Sequence, residues 1–93
     1  MRYIWDIKKN DSNLKKHGIS FYDASQVFRD ENYITLLDSD HSLGEYHFVV
    51  IGMTQKGLLT VVYVERIENV VRIITARKAK KAERGLYEKK IRS

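Results

Sequence analysis

The chain has 93 residues, with 17 Lys and Arg against 12 Asp and Glu and a formal net charge of +5. That length bounds it to one domain, 1–93, with a modest core. With no Cys, neither a disulfide nor a thiolate metal site supplements that core. The first residues lack a signal-peptide core and no apolar run is long enough to span a bilayer, so a cytoplasmic protein without membrane contact is expected.

Tyr3-Ile4-Trp5 reads as a short edge strand, and Asp6 as the N-cap of a helix over 6–17. Ile7 and Leu14 lie seven apart on one face of that helix. Gly18 supplies its left-handed stop, which puts Lys16 and His17 at the negative end of the helix dipole. Ser20 then caps a second helix over 20–29, with Phe21, Ala24, Val27 and Phe28 at helical spacing as its core stripe.

From Tyr33 the period changes to that of strands. Tyr33–Leu37, Tyr46–Met53, Leu58–Val64 and Val70–Ala76 are rich in β-branched and aromatic residues. A polar loop containing Asp38, Asp40 and His41 separates the first two, and Gln55-Lys56-Gly57 and Ile67-Glu68-Asn69 read as turns. Short connections make these strands antiparallel neighbours. The last two are apolar on both faces and should be central. Trp5, Leu14, Phe21, Val27, Phe28, Leu36, Val50, Val62, Ile73 and Ile74 are the expected core.

The last strand runs without Gly or Pro into Arg77-Lys78-Ala79-Lys80-Lys81-Ala82-Glu83-Arg84-Gly85-Leu86-Tyr87, read as a helix over 78–92. Ala79, Ala82 and Leu86 give it a thin apolar face, so fraying is expected beyond Tyr87. The fold class is α+β, β-α-α-β-β-β-β-α, an antiparallel sheet with helices packed on it.

Residues 77–93 hold eight basic and two acidic side chains, a net +6, whereas the rest of the chain is −1. So asymmetric a distribution points to nucleic acid or an acidic partner, or to a solvated helix face. His17, His41 and His47 share no ligand spacing, and there is no phosphate-binding glycine loop or nucleophile elbow. No metal or cofactor is expected. The remaining set of cations, one Tyr, one Glu and scattered His suits RNA cleavage by the substrate's own 2′-hydroxyl. Such cleavage needs proton transfer and positive charge on the phosphorane.

By alternation Arg72 shares a face with Val70, Ile74 and Ala76. There it either pairs with a carboxylate or opens onto a cleft. Arg77 and Lys78 stand at the strand–helix junction, and Glu83, Arg84 and Tyr87 are within reach on helical spacing. Tyr87 is equally a packing residue. His17 is of the residue type most often used for proton transfer, but a His at this place is also a plain helix cap.

Several blocks are similar to the BrnT toxin family. They are Trp5-Asp6, Lys9-Asn10, Asn13-Leu14, Lys16-His17-Gly18-Ile19-Ser20-Phe21, Ala24, Val27-Phe28-Arg29-Asp30, Asp40-His41, Glu45 and Gly52. Arg72-Ile73-Ile74-Thr75-Ala76-Arg77-Lys78-Ala79, Glu83-Arg84 and Tyr87 continue the series, which spans nearly the whole chain in order. The resemblance implies a RelE-like fold and a metal-independent endoribonuclease toxin of a type II toxin–antitoxin pair. It implies a BrnA-like antitoxin with a ribbon-helix-helix DNA-binding part, through which alone the toxin meets DNA in repressing its operon. The site residues implied are His17, Arg72, Arg77, Arg84 and Tyr87 for catalysis, and Lys16, Lys78 and Glu83 for RNA binding, to which the basic stretch adds Lys80 and Lys81 as RNA-binding residues. Thr75, His47 and Gly85 depart from the family pattern. The rival reading is a non-catalytic module whose basic helix docks an antitoxin or DNA. A binder tolerates Arg-to-Lys changes that bidentate phosphorane contacts do not.

Overall fold

The computed structural model describes residues 1–38, 46–66 and 69–93. In chain order the elements are β1 (Arg2–Ile4), α1 (Ile7–His17), α2 (Phe21–Ser25), a 3-10 turn (Gln26–Arg29), β2 (Ile34–Asp38), β3 (His47–Thr54), β4 (Gly57–Arg66), β5 (Val70–Lys78) and α3 (Lys81–Arg92). The expected element order forms. The strands make one sheet in the order β1-β5-β4-β3-β2. The expected loop residues Asp40 and His41 and the turn residues Ile67 and Glu68 lie outside the described residues.

The sheet is mixed rather than wholly antiparallel. β2 to β5 are antiparallel neighbours, but β1 lies parallel to β5, with Tyr3 opposite Val71. The helical pair carries the chain from one edge of the sheet to the other, which leaves β1 to pair beside the last strand.

Local chemistry fixes the helical ends. Asp6 accepts from the backbone N–H groups of Lys8 (2.8 Å) and Lys9 (3.1 Å), satisfying two donors of the first turn. Gly18 takes φ 72° and its N–H returns to Leu14 O. Ser20 Oγ accepts from Asp23 N at 3.0 Å, and Asn10 Oδ1 accepts from Phe21 N at 2.8 Å, which ties the second helix to the first.

The main core lies between these helices and one face of the sheet. It contains Ile19, Phe21, Ala24, Val27, Val50, Leu59, Val61, Tyr63, Val71, Ile73 and Ala76, with Trp5 and Phe28 at its margin. The 3-10 turn sits so close to β3 that a Cβ on Gly52 would lie 2.9 Å from Val27 O. Burying these side chains is the main source of stability.

Several core expectations need correction. Leu14 is 47% exposed and Leu36 is 43% exposed, and Val62 is only half-buried. α1 packs against the edge of the sheet through Asn13, so Leu14, one step round the helix, turns to solvent. Leu36 and Val62 lie on the opposite face of the sheet, with Val49 between them in register. A bulge at Val62/Tyr63 also shifts the pairing of β5, so Ile73 and Ala76 both enter the main core and Ile74 is only half-buried. Arg72 therefore does not share a face with Ala76.

β5 continues to Lys78, so Arg77 and Lys78 are strand residues and α3 starts at Lys81 rather than at 78. α3 packs on the sheet face opposite α1 and α2, in a second cluster of Ile51, Leu58 and Tyr87 with Ile34 and Ala79. Glu83 and Tyr87 form its inward face. Leu86 is 47% exposed and Ala82 is exposed. The helix runs on past Tyr87 to Arg92, and Lys90 Nζ donates to Tyr33 O at 2.8 Å.

Candidate functional site

α3 covers only one end of its sheet face. The remainder, with Ile4, Leu36, Val49, Val62 and Thr75, is exposed or half-buried. Cations from three elements border this open apolar floor: Arg72 and Arg77 on β5, Lys80, Lys81 and Arg84 at the start of α3, and Lys8, Lys9 and Lys16 of α1.

Arg77 is the most constrained of them. Opposite Thr60 in register, it points to the α3 side of the sheet. Its Nη1 donates to Glu83 Oε1 at 2.7 Å and its Nη2 to Glu83 Oε2 at 2.8 Å, a bidentate pair. Nη1 also donates to Lys78 O at 3.2 Å. A guanidinium has five N–H donors, so among the described residues Nε–H and the second Nη2–H remain without an acceptor, and these two share one edge of the fork. That edge matches the spacing of two phosphate oxygens.

Glu83 holds this arrangement from α3. Besides the guanidinium it accepts from Lys80 N at 2.7 Å and from Thr60 Oγ1 at 2.9 Å. The Lys80 bond closes the helix start, where the N-cap Lys offers no acceptor of its own. The Arg77 bonds, then those from Lys80 N and Thr60, outweigh desolvation and lower the Glu83 pKa to about 2. Glu83 is a fixed anion at neutral pH and a poor general base. The same pair raises the Arg77 pKa.

Lys80, Lys81 and Arg84 are exposed and cluster at the positive end of the α3 dipole. There they cost stability rather than add it, and an anion bound among them would relieve that cost. Lys78 does not join them. It shares the face of Ala76, and its Nζ bonds to Lys56 O in the β3–β4 turn.

Tyr87 is placed for packing. It is buried in the second cluster and its hydroxyl donates to Asp30 Oδ2 at 2.5 Å. Burial, then the bond to the Asp30 anion, raises its pKa to about 12. Desolvation opposes ionisation of Asp30, but the bonds from Tyr87, Met53 N and Asn32 N prevail and lower its pKa.

On the other side of β5 lies a groove of about 380 Å³ between α1 and the strand. Lys8, Lys9, Ser12, Asn13, Lys16 and His17 line it from the helix, and Ile74 and Thr75 from the strand. The helical residues recur at intervals of four, which places them on one face. Asn13 anchors that face. Its Nδ2 donates to Ala76 O at 2.8 Å and Ile19 O at 2.9 Å, and its Oδ1 accepts from Ala76 N at 3.1 Å. The amide thus completes the β5 ladder where β1 has ended. Arg72 lies opposite Ile4, the last residue of β1. The Lys9 N–H bond lowers the Asp6 pKa, with lesser help from the charges of Lys9 and Arg72.

The structure therefore brings Arg77 and Glu83 into direct contact, and Lys16 and His17 to one groove beside Thr75. It sets Tyr87 and Lys78 apart from both. Thr60, Lys8, Lys9 and Ser12 were not singled out as site residues in the sequence. Thr60, the one aliphatic hydroxyl in the apolar run Leu58–Val64, was the available signal. Among the described residues no group of three or more His, Cys, Asp or Glu is placed to hold a metal ion, and no helix is long and apolar enough to cross a membrane.

A family model described as the ribonuclease toxin, BrnT, of type II toxin–antitoxin systems matches residues 5–83. No curated protein matches. The 1.1 Å crystal structure of the Brucella abortus ribonuclease toxin, BrnT, superposes with a TM-score of 0.64 at 22% identity. The match covers 87% of this chain and 99% of that one, and shows the shared fold.

Proposed function

Because the chain belongs to the family of BrnT ribonuclease toxins of type II toxin–antitoxin systems, we propose that the open basic face of its sheet binds RNA and that Arg77 stabilises the transition state of cleavage. Membership makes the chain an endoribonuclease with an RNA substrate and a cognate antitoxin. The cleavage we assign is attack of the 2′-hydroxyl on its own phosphorus. The P–O5′ bond breaks, a 2′,3′-cyclic phosphate forms, and the 5′-hydroxyl product departs. No metal enters this step. A proton leaves O2′ and one reaches O5′, so the protein supplies proton transfer and charge.

The observation that carries this reading is the Arg77 fork. One edge is fixed by both oxygens of Glu83, and the other has two N–H groups left for the phosphorane. Held this way, the guanidinium need not reorganise as charge develops on phosphorus. Arg84, Lys80 and Lys81 add positive potential, and Arg72 extends it along β5. His17 is the assigned proton-transfer group, since Tyr87 is buried and its hydroxyl committed to Asp30. Glu83 is reassigned from RNA contact to holding Arg77.

We assign the antitoxin to a BrnA-like class with a ribbon-helix-helix part that alone contacts DNA, and the complex to the cytoplasm. The segment 77–93, at +6, is the surface an acidic antitoxin would cover. The deciding experiment cleaves an oligoribonucleotide in excess chelator and identifies the ends. A cyclic phosphate, and complete protection by a 2′-deoxy sugar at the cleaved position, is the expected result. Tight RNA binding without cleavage would reduce the surface to an electrostatic docking site.

A further inference from the structure

Apart from His17, the groove between α1 and β5 has chemistry that the cleavage step does not use. Lys8, Lys9 and Lys16 and His17 line one wall, and Ile74 and Thr75 the other. Among the described residues, no acidic one lines it. Lysine stems are apolar while their ammonium heads stay charged, so a groove walled by lysines and an isoleucine offers both an apolar floor and a cationic rim. That pairing suits an unstacked nucleobase lying against the floor with its phosphate at the rim.

The groove's place on the sheet gives it a partner. Thr75 and Arg77 are alternate residues of β5, opposite Val62 and Thr60 on the same sheet face. Residues two apart on a strand are separated by about 6.5–7 Å. A chain whose phosphate sits at Arg77 therefore has its next backbone unit over Thr75, at the mouth of the groove. α1 is held rigidly there, because Asn13 fastens it to Ala76 through both amide atoms.

We propose that this groove is a second RNA subsite, which binds the single-stranded nucleotide next to the cleaved one through Lys8 and Lys9. The proposal rests on the reading of Arg77 as the cleavage centre for its register, but binding tests it without turnover. RNA is favoured over an acidic peptide because of the groove's continuity with Arg77 along β5.

The probe is an eight-nucleotide RNA with 2′-O-methyl sugars, which cannot be cleaved, and its affinity for the full chain is measured by fluorescence anisotropy across a salt series. Lys8→Gln and Lys9→Gln together should weaken binding about tenfold and flatten the log–log salt slope by roughly 1.4, the value for two contacts on a single strand. Lys15→Gln removes a charge from the same helix but outside the groove, and should leave both nearly unchanged. The wild-type preference for eight nucleotides over two should shrink in the double variant. Equal losses in the double variant and Lys15→Gln, counted per charge, would overturn the subsite. So would unaltered RNA affinity with weakened antitoxin binding, which would give the groove to the antitoxin. If the wild type binds this probe through Lys8 and Lys9 yet cleaves no RNA, the subsite stands and the cleavage reading fails.

Discussion

Arg77 and Glu83 meet fork to fork, with Nη1–Oε1 at 2.7 Å and Nη2–Oε2 at 2.8 Å, across the gap between the last strand and the last helix. The pair joins two elements that would otherwise touch through little apolar surface. It also fixes the one guanidinium best placed to meet a phosphate.

Arg77→Lys keeps the charge but cannot make both the Glu83 pair and a bidentate phosphate contact. Single-turnover cleavage should fall by about 10²–10³, the usual cost of one preorganised contact. RNA affinity should change little. A rate within a few-fold of wild type would remove Arg77 from the chemistry.

Glu83 gives a pH signature. Its folded pKa of about 2 lies below its ordinary value of 4.5, so it contributes stability that is fully present above about pH 4.5. That contribution is lost as pH falls toward 2. The shift corresponds to at most about 3–4 kcal/mol, which screening at this partly exposed pair reduces to about 1–2 kcal/mol. Urea unfolding of wild type and Glu83→Gln, compared from pH 6 down to pH 2.5, should show a gap that closes with acidification. A gap of constant size would mean that Glu83 acts through packing instead.

Tyr87→Phe removes the hydroxyl that bonds Asp30 and leaves the ring in its cluster. A hydrogen bond to a charged group is worth about 1.5–3 kcal/mol, so the melting temperature should drop measurably. Cleavage by the folded variant should remain within a few-fold of wild type. A loss of 10²-fold or more at full folding would restore Tyr87 as a proton donor.

Asn13→Ala strips the β5 edge of its substitute ladder. Ala76 N–H and the carbonyls of Ala76 and Ile19 lose their partner, at a cost of roughly 2–4 kcal/mol for several buried groups left unmade. Amide exchange at Ala76 should accelerate far more than at Val61, its neighbour in the sheet interior. Equal acceleration at both would point to global destabilisation without a local edge effect.

Much of this molecule is determined locally. Asp6, Gly18 and Ser20 set helix ends through contacts within a few residues, so these were legible in the sequence. The apolar β-branched runs of β4 and β5 declared central strands because both their faces are apolar. The basic excess after Ala76 was equally plain. What the sequence could not reveal is long-range. A single bulge opposite Val62 and Tyr63 moved Ala76 to the main core and separated it from Arg72, since a shift by one residue reverses every later side chain. The end of β5 lay two residues beyond its apolar run, because ladder pairing with Leu59 and Thr60 outlasted the hydrophobic pattern. Leu14 and Leu36 looked like core, but both are exposed, and among the described residues no layer covers them. Only the tertiary structure decided which polar partners meet: Asn13 with Ala76 across 63 positions, Tyr87 with Asp30 across 57, and Thr60 with Glu83 across 23. Side-chain hydrogen bonds of such separation depend on how two layers dock on a twisted sheet, and no local spacing encodes that.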